Sequence, residues 1–179
     1  MSFLSDQSSR LRSTLAEVYG LKRPGPGWWA WLRDTHATLA LLAAVPVWLA
    51  LALWASAYIY HPDCMWAWIS LVLVQPVLEE LVFRGILQGQ ALRLLCSNGE
   101  PRRLGPVTLA NVLVTAGFVA LHFPAQPLVW ALAVAGPSLV LGHLRERFRS
   151  VWPAVLVHAI YNTGLGLAAW LVVVLHDVT

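Results

Sequence analysis

The stretch MWAWISLVLVQPVLEELVFRGILQGQALRLL, residues 65–95, decides what kind of protein this is. Met65 to Leu78 contains no Asp, Glu, Lys or Arg. Glu79, Glu80 and Arg84 then fall within six residues, and apolar character resumes as far as Leu95. A helix needs roughly 20 apolar residues to cross a bilayer, so the stretch predicts a membrane-spanning helix with ionisable groups in its interior. Each charge at a helix centre costs about 2.5–3.5 kcal/mol on insertion scales. Three of them need a compensating reason. The reason is a structural ion pair between helices, a span that stops at Leu78, or a functional site inside the membrane.

The rest of the chain favours a membrane. Ala37 to Tyr60, Gly105 to Phe123, Pro127 to Leu144 and Val151 to Leu175 are likewise free of Asp, Glu, Lys and Arg. Only 12% of the 179 residues are charged and 58% are hydrophobic, where a soluble domain carries about a quarter charged. In lipid the backbone must satisfy its own polar groups. The expected fold is therefore all-α, an integral membrane bundle of about five transmembrane helices. No internal repeat is present, and nothing reads as a second, soluble domain.

The basic residues orient these spans. Arg10, Arg12, Lys22, Arg23 and Arg33 precede the first, Arg93, Arg102 and Arg103 follow the second, and Arg145, Arg147 and Arg149 follow the fourth. The connections at Tyr60–Met65 and Phe123–Pro127 carry none. The positive-inside rule then puts the N-terminus in the cytoplasm and the C-terminus outside. The net charge of +3 reports that topology, since no basic stripe interleaved with aromatics suggests nucleic-acid binding. Cys64 and Cys96 fall on opposite sides and cannot pair within the chain.

Residues 1–35 read as a cytoplasmic lead-in, and 36–179 as the transmembrane domain, which would carry any functional site. Leu4, Leu11, Leu15 and Val18 recur at helical spacing, as in a helix lying on the inner leaflet; a frayed tail is the plain alternative. Pro24 to Gly27 breaks any helix, and Trp28, Trp29 and Trp31 form an interfacial anchor. No cleavable signal peptide is apparent. One lysine among 12 basic residues, with abundant Ala, Leu, Val and Trp, points to a bacterial genome and an inner-membrane location.

Helix geometry separates the two carboxylates. Glu80 and Arg84 are four apart and stack on one face, where they can pair. Glu79 points about 100° away, with no cation at i+3 or i+4. It is expected to be desolvated, less well paired and suited to general-base work. His122, His158 and Asn162 are the other polar groups in apolar helices. His158 and Asn162, four apart, share a face and present N–H donors of the kind that stabilise an oxyanion. For a lone intramembrane His, interhelical packing is the bland reading; five such groups on three helices favour a site. By helical rise, Glu79 lies roughly 20 Å past Trp66 and His158 roughly 10 Å into its span, which places both in the inner half of the bilayer. His122, counted from Gly105, comes out nearer the outer surface. The third helix must start in the cytoplasm, tilt, or end early at Pro124.

Other intramembrane chemistries fit less well. A His-Glu-x-x-His zinc motif is absent, and Asp6, Asp34, Asp63 and Asp177 fall outside the spans. Gly136-Pro137-Ser138-Leu139 resembles a rhomboid serine motif but lacks the glycine after the serine, and small residues in a span usually serve packing. His36, His61, His143 and His176 lie at span ends or in loops and receive no role.

Glu79-Glu80-x-x-x-Arg84, Phe118-x-x-x-His122 and His158-x-x-x-Asn162, in that order, resemble the three motifs of the CPBP family over roughly residues 66–166. These are the CAAX-type prenyl endopeptidases of the Rce1 kind and their bacterial relatives. Gly142 to Arg145 and Ser150 to Ala154 also resemble the connection before the family's last motif. The resemblance implies glutamate-dependent peptide hydrolysis. Glu79 with His122 would activate water, His158 and Asn162 would stabilise the oxyanion, and Glu80 with Arg84 would hold the local structure. It implies a membrane-anchored, lipidated or sorting-tail-bearing substrate near the cytoplasmic leaflet, and no nucleic acid. No cofactor is expected. Family members have also been described as metalloproteases, in which case Glu79, His122 and His158 would hold zinc, a reading disfavoured because Glu80 is committed to Arg84. A non-catalytic immunity or scaffold protein of the same architecture is the alternative. Five spans are fewer than many relatives show, which leaves the substrate groove more open or completed by a second subunit.

Overall fold

The computed structural model describes residues 15–24, 30–54, 59–97 and 99–178, the last without side chains beyond 175. Leu4, Leu11, residues 25–27, Trp28, Trp29 and the segment 55–58 before Tyr60 lie outside the described residues. A 3-10 turn, Ala30–Arg33, leads into helix α1 (Thr35–Trp54). Asp34 caps it, its Oδ1 accepting from His36 N at 3.0 Å and Ala37 N at 3.3 Å, which satisfies two of the four free amides of a helix start. Trp31 is buried in the protein at 3% exposure, so it is no interfacial anchor.

Helix α2 (Met65–Leu94) follows. After it come two short antiparallel ladders, β1 (Cys96–Ser97) with β2 (Glu100–Pro101) and β3 (Arg103–Leu104) with β4 (Val107–Thr108). Then come α3 (Leu109–His122), α4 (Leu128–Ala133), α5 (Ala135–Phe148) and α6 (Trp152–Val178). α4 and α5 run on through Val134 as one apolar stretch, Leu128–Phe148. The fold is all-α and integral to the membrane. Large apolar side chains such as Leu42, Leu53, Leu73 and Leu167 stand on the protein's outside, where only acyl chains can remove them from water.

Of the about five expected spans, four reach spanning length. Among the described residues four helices are long and apolar enough to cross a membrane: Thr35–Trp54, Met65–Leu94, Leu128–Phe148 and Trp152–Leu175. The third expected span does not reach that length. β3 and β4 use Arg103 to Thr108, and the helix starts only at Leu109, where Thr108 caps it by accepting from Asn111 N at 3.0 Å. Fourteen residues rise about 21 Å, short of the roughly 30 Å hydrocarbon core. The fourth span is longer than expected, which carries Arg145 and Arg147 into helix α5 rather than a connecting loop.

The chain divides into two compact units whose boundaries fall inside the 3-10 turn, α2 and α6. The first holds Glu79–Ala154 with the described part of residues 1–31, and the second holds Leu32–Leu78 with Val155–Thr179. In the first unit α3 packs most closely on α5. Gly142 permits that approach, since a Cβ there would overlap the Asn111 carboxamide. Residues 15–24 are tied into the same unit. Val151 N donates to Gly20 O at 2.9 Å, Ser150 Oγ to Lys22 O at 2.8 Å and Gln90 Nε2 to Tyr19 Oη at 3.0 Å. In the second unit α6 meets α1, where a Cβ at Gly164 would overlap the Trp48 indole and Tyr161 Oη donates to Ala40 O at 3.0 Å. Small residues at such contacts let helix backbones approach where lipid offers no hydrophobic drive.

Candidate active site

Helix α2 changes winding around its carboxylates. Ser70–Val74 and Leu81–Leu87 are π-helical, and Gln75–Glu80 between them is α-helical. Glu79 and Glu80 thus end the α segment, immediately before a wider turn of the kind common at functional sites. Glu80 and Arg84 are 0% and 1% exposed, and Arg84 Nε lies 3.2 Å from Glu80 Oε2. The contact is Coulombic, without the alignment of a straight hydrogen bond. The expected pair is present. Glu79 also stands within Coulombic reach of Arg84, more weakly than Glu80, so the two carboxylates differ in degree of pairing rather than in kind.

Arg84 anchors a buried polar network that motif reading missed. Its Nη2 donates to Ser138 O at 3.0 Å and Ser138 Oγ at 2.9 Å, while Ser138 Oγ and Thr115 Oγ1 are 2.9 Å apart. The guanidinium carbon sits 5.1 Å from the Phe118 ring centroid and 6.0 Å from that of Phe83, within cation–π range. One turn on, Gln88 Nε2 donates to Gly142 O at 3.0 Å and Glu146 Oε1 at 2.7 Å, and Thr108 Oγ1 donates to the same carboxylate at 2.6 Å. Asn111 Nδ2 donates to Leu139 O at 2.9 Å. Buried polar groups in a membrane protein call for partners, and this network supplies most of them across α2, α3 and α5, leaving Arg84 Nη1 and Gln88 Oε1 without a hydrogen bond among the described residues. Ser138, the residue of the rhomboid-like match, is wholly buried within it. The four-residue spacing of Glu80, Arg84 and Gln88 was the legible signal; their partners, more than 50 positions away, had none.

Arg145, expected in a basic connection, is 3% exposed. Its Nε donates to Arg84 O at 3.2 Å and its Nη2 to Val18 O at 2.8 Å. Buried carbonyls hold this cation, which makes it a structural residue. Gly142→Ala tests the packing of the network. The new methyl displaces the hydrogen-bonded Asn111 carboxamide, and overpacking of that kind costs about 1–3 kcal/mol. Thermal unfolding in detergent should show the loss; an unchanged midpoint would mean that the α3–α5 contact is looser than described.

His122 closes α3, half-buried, its Nδ1 2.8 Å from Phe118 O. A carbonyl only accepts, so Nδ1 carries the proton, and the neutral ring then presents Nε2 as an acceptor. The depth conflict resolves in the hairpin. Arg102 N donates to Leu95 O at 3.2 Å and Leu109 N to Arg102 O at 2.8 Å, which ties the end of α2 to the start of α3. From that common level, Glu79 is about 22 Å back along α2 and His122 about 20 Å up α3. The antiparallel register agrees. Phe83 meets Phe118 edge to face with ring centroids 4.9 Å apart, and one turn further along each helix come residues 79 and 122.

His158 and Asn162 belong to the second unit, half-buried and one turn apart on α6. Asn162 Nδ2 donates to Leu71 O at 2.9 Å. The need for that bond lies in Pro76. In the π-helical segment Gln75 N donates to Ser70 O, and the next nitrogen in this register, which would serve Leu71 O, is proline's and has no hydrogen. Asn162 replaces the missing donor and keeps a second N–H for other use. Asn162→Ala should lower stability by about 1 kcal/mol in thermal unfolding, and no change would remove this structural duty.

Within either unit, no three described His, Cys, Asp or Glu residues form a metal-ligand group; Glu79 and His122 share a unit, whereas His158 does not belong to it. Cys64 and Cys96 are both exposed and free. A family model described as type II CAAX prenyl endopeptidase Rce1-like matches residues 46–164, well over half the chain and including all three motifs. No curated protein and no solved structure matches.

Proposed function

The chain belongs to the Rce1-like family of type II CAAX prenyl endopeptidases, and from that premise we propose that it is an intramembrane endopeptidase of the glutamate type. The observation that carries the reading is the family match, which spans Glu79, His122, His158 and Asn162 together. Glu79 takes a proton from a water molecule as its oxygen attacks the scissile carbonyl. His122, with its Nδ1–H given to Phe118 O, offers Nε2 as acceptor to the same water. His158 and the remaining amide N–H of Asn162 stabilise the oxyanion. As the tetrahedral adduct collapses, the C–N bond breaks, and the proton held by Glu79 passes to the departing amine. Glu80 and Arg84 keep α2 in place and take no proton. The mechanism uses water and side chains alone.

The substrate we propose is a membrane-anchored, lipidated or sorting-tail-bearing peptide cut near the cytoplasmic leaflet of a bacterial inner membrane. A shared side for the basic segments is supported by Arg23, Arg93 and Arg149, which come from the lead-in, the end of α2 and the turn after α5 and line one cavity. The test is cleavage of a prenylated CAAX peptide by the protein purified into a bilayer, compared with Glu79→Gln. Cleavage that survives in the variant would end the proposal.

A further inference from the structure

The first unit contains a cavity of about 660 Å³ at the ends of two apolar spans. Lys22 and Arg23 reach it from the lead-in, Arg93 from the last turn of α2, Arg145 from α5 and Arg149 from the turn that follows. Five cations therefore face one carboxylate, Glu17. Lys22 is already paired with Glu17, and Arg145 is held by two carbonyls. Among the described residues Arg23 and Arg93 have no acidic partner. The Glu17 carboxyl is held below the usual carboxylate range by its hydrogen bond from Lys22 first, then by the charges of Lys22 and Arg149. That is the mark of a positive local potential.

Such a concentration of like charge is self-repelling unless an anion enters it. Guanidinium groups match phosphate oxygens in bidentate geometry better than ammonium groups do. Leu92 and Phe148 are apolar parts of its lining, and Leu21 and Leu94, the chain neighbours of Lys22 and Arg93, stand 47% and 80% exposed. Apolar side chains beside a cluster of cations, where two spans end, suit a ligand with an anionic head and a hydrocarbon body. We propose that this cavity binds the phosphate of a net-negative ligand, which in the bilayer is an anionic phospholipid headgroup. The site is separate from Glu79 and His122, neither of which lines it.

The test is thermal unfolding of the full chain in neutral detergent with three probes: dioctanoyl phosphatidylglycerol, dioctanoyl phosphatidylcholine and inorganic phosphate. At about a hundredfold excess over Kd, phosphatidylglycerol should raise the Tm by about 5–10 °C, and phosphatidylcholine should not. The variant Arg23→Gln/Arg93→Gln should lose most of the rise, whereas Arg102→Gln, exposed and outside the cavity, should keep it. An equal rise with inorganic phosphate assigns the site to free phosphate, and a rise with the lipid alone assigns it to the headgroup. No rise with either anion, an equal rise with phosphatidylcholine, or a full rise in the double variant overturns the proposal.

Discussion

Glu79→Gln is expected to lower cleavage of a membrane-anchored peptide by about 10²–10⁴-fold, the range that a lost general base produces, while leaving the fold intact. Glutamine is nearly isosteric and keeps one acceptor oxygen, so packing around position 79 changes little. What it loses is the capacity to take a proton. Glu79 is half-buried, and it is Glu80 that forms the closest ion pair with Arg84, so the buried pair survives the change. Two measurements are needed together, turnover and unfolding midpoint in the same preparation. A large fall in turnover at an unchanged midpoint is the predicted result. A parallel fall in both would make Glu79 a structural residue.

Arg84→Ala has the opposite signature. It should destabilise the protein by about 3–5 kcal/mol, because it leaves the Glu80 carboxylate, 0% exposed, buried without its closest cation. It also removes two hydrogen bonds to Ser138 and a cation from beside two aromatic rings. Glu80→Leu combined with Arg84→Met should recover most of the loss, since a well-packed apolar pair can replace a buried ion pair at little cost. Unfolding in mixed micelles, followed by tryptophan fluorescence, measures both variants. If the double variant is no more stable than Arg84→Ala, then the bonds to Ser138, rather than the stranded charge, carry the stability.

The expected third span shows where sequence reading stopped. The apolar run from Gly105 to Phe123 is long enough to suggest a crossing, yet Gly105 and Pro106 turn the chain and Val107 and Thr108 pair with Leu104 and Arg103. Gly105-Pro106 is a turn signal, but nothing local says that the two residues after it pair as a strand before the helix begins. The late start of α3 then sets the level of His122, which counting from Gly105 had put nearer the outer surface. Arg145 is a similar case. An arginine at the end of an apolar run reads as a cytoplasmic flank, and only the carbonyls of Arg84 and Val18, 61 and 127 positions away, make it a buried structural cation.

By itself the sequence determined an all-helical membrane protein, the Glu80–Arg84 pair and the three motifs of the family. Each of these follows from local quantities, namely the cost of exposed peptide groups in lipid and the rise and period of a helix. Only the tertiary structure decided the length of α3, the π-helical turns that flank Glu79 and Glu80, the network centred on Arg84, and the duty of Asn162 toward Leu71. The network and the duty of Asn162 depend on hydrogen bonds between residues dozens of positions apart. A helix's own period says which residues share a face; it does not say which carbonyl of another helix lies opposite.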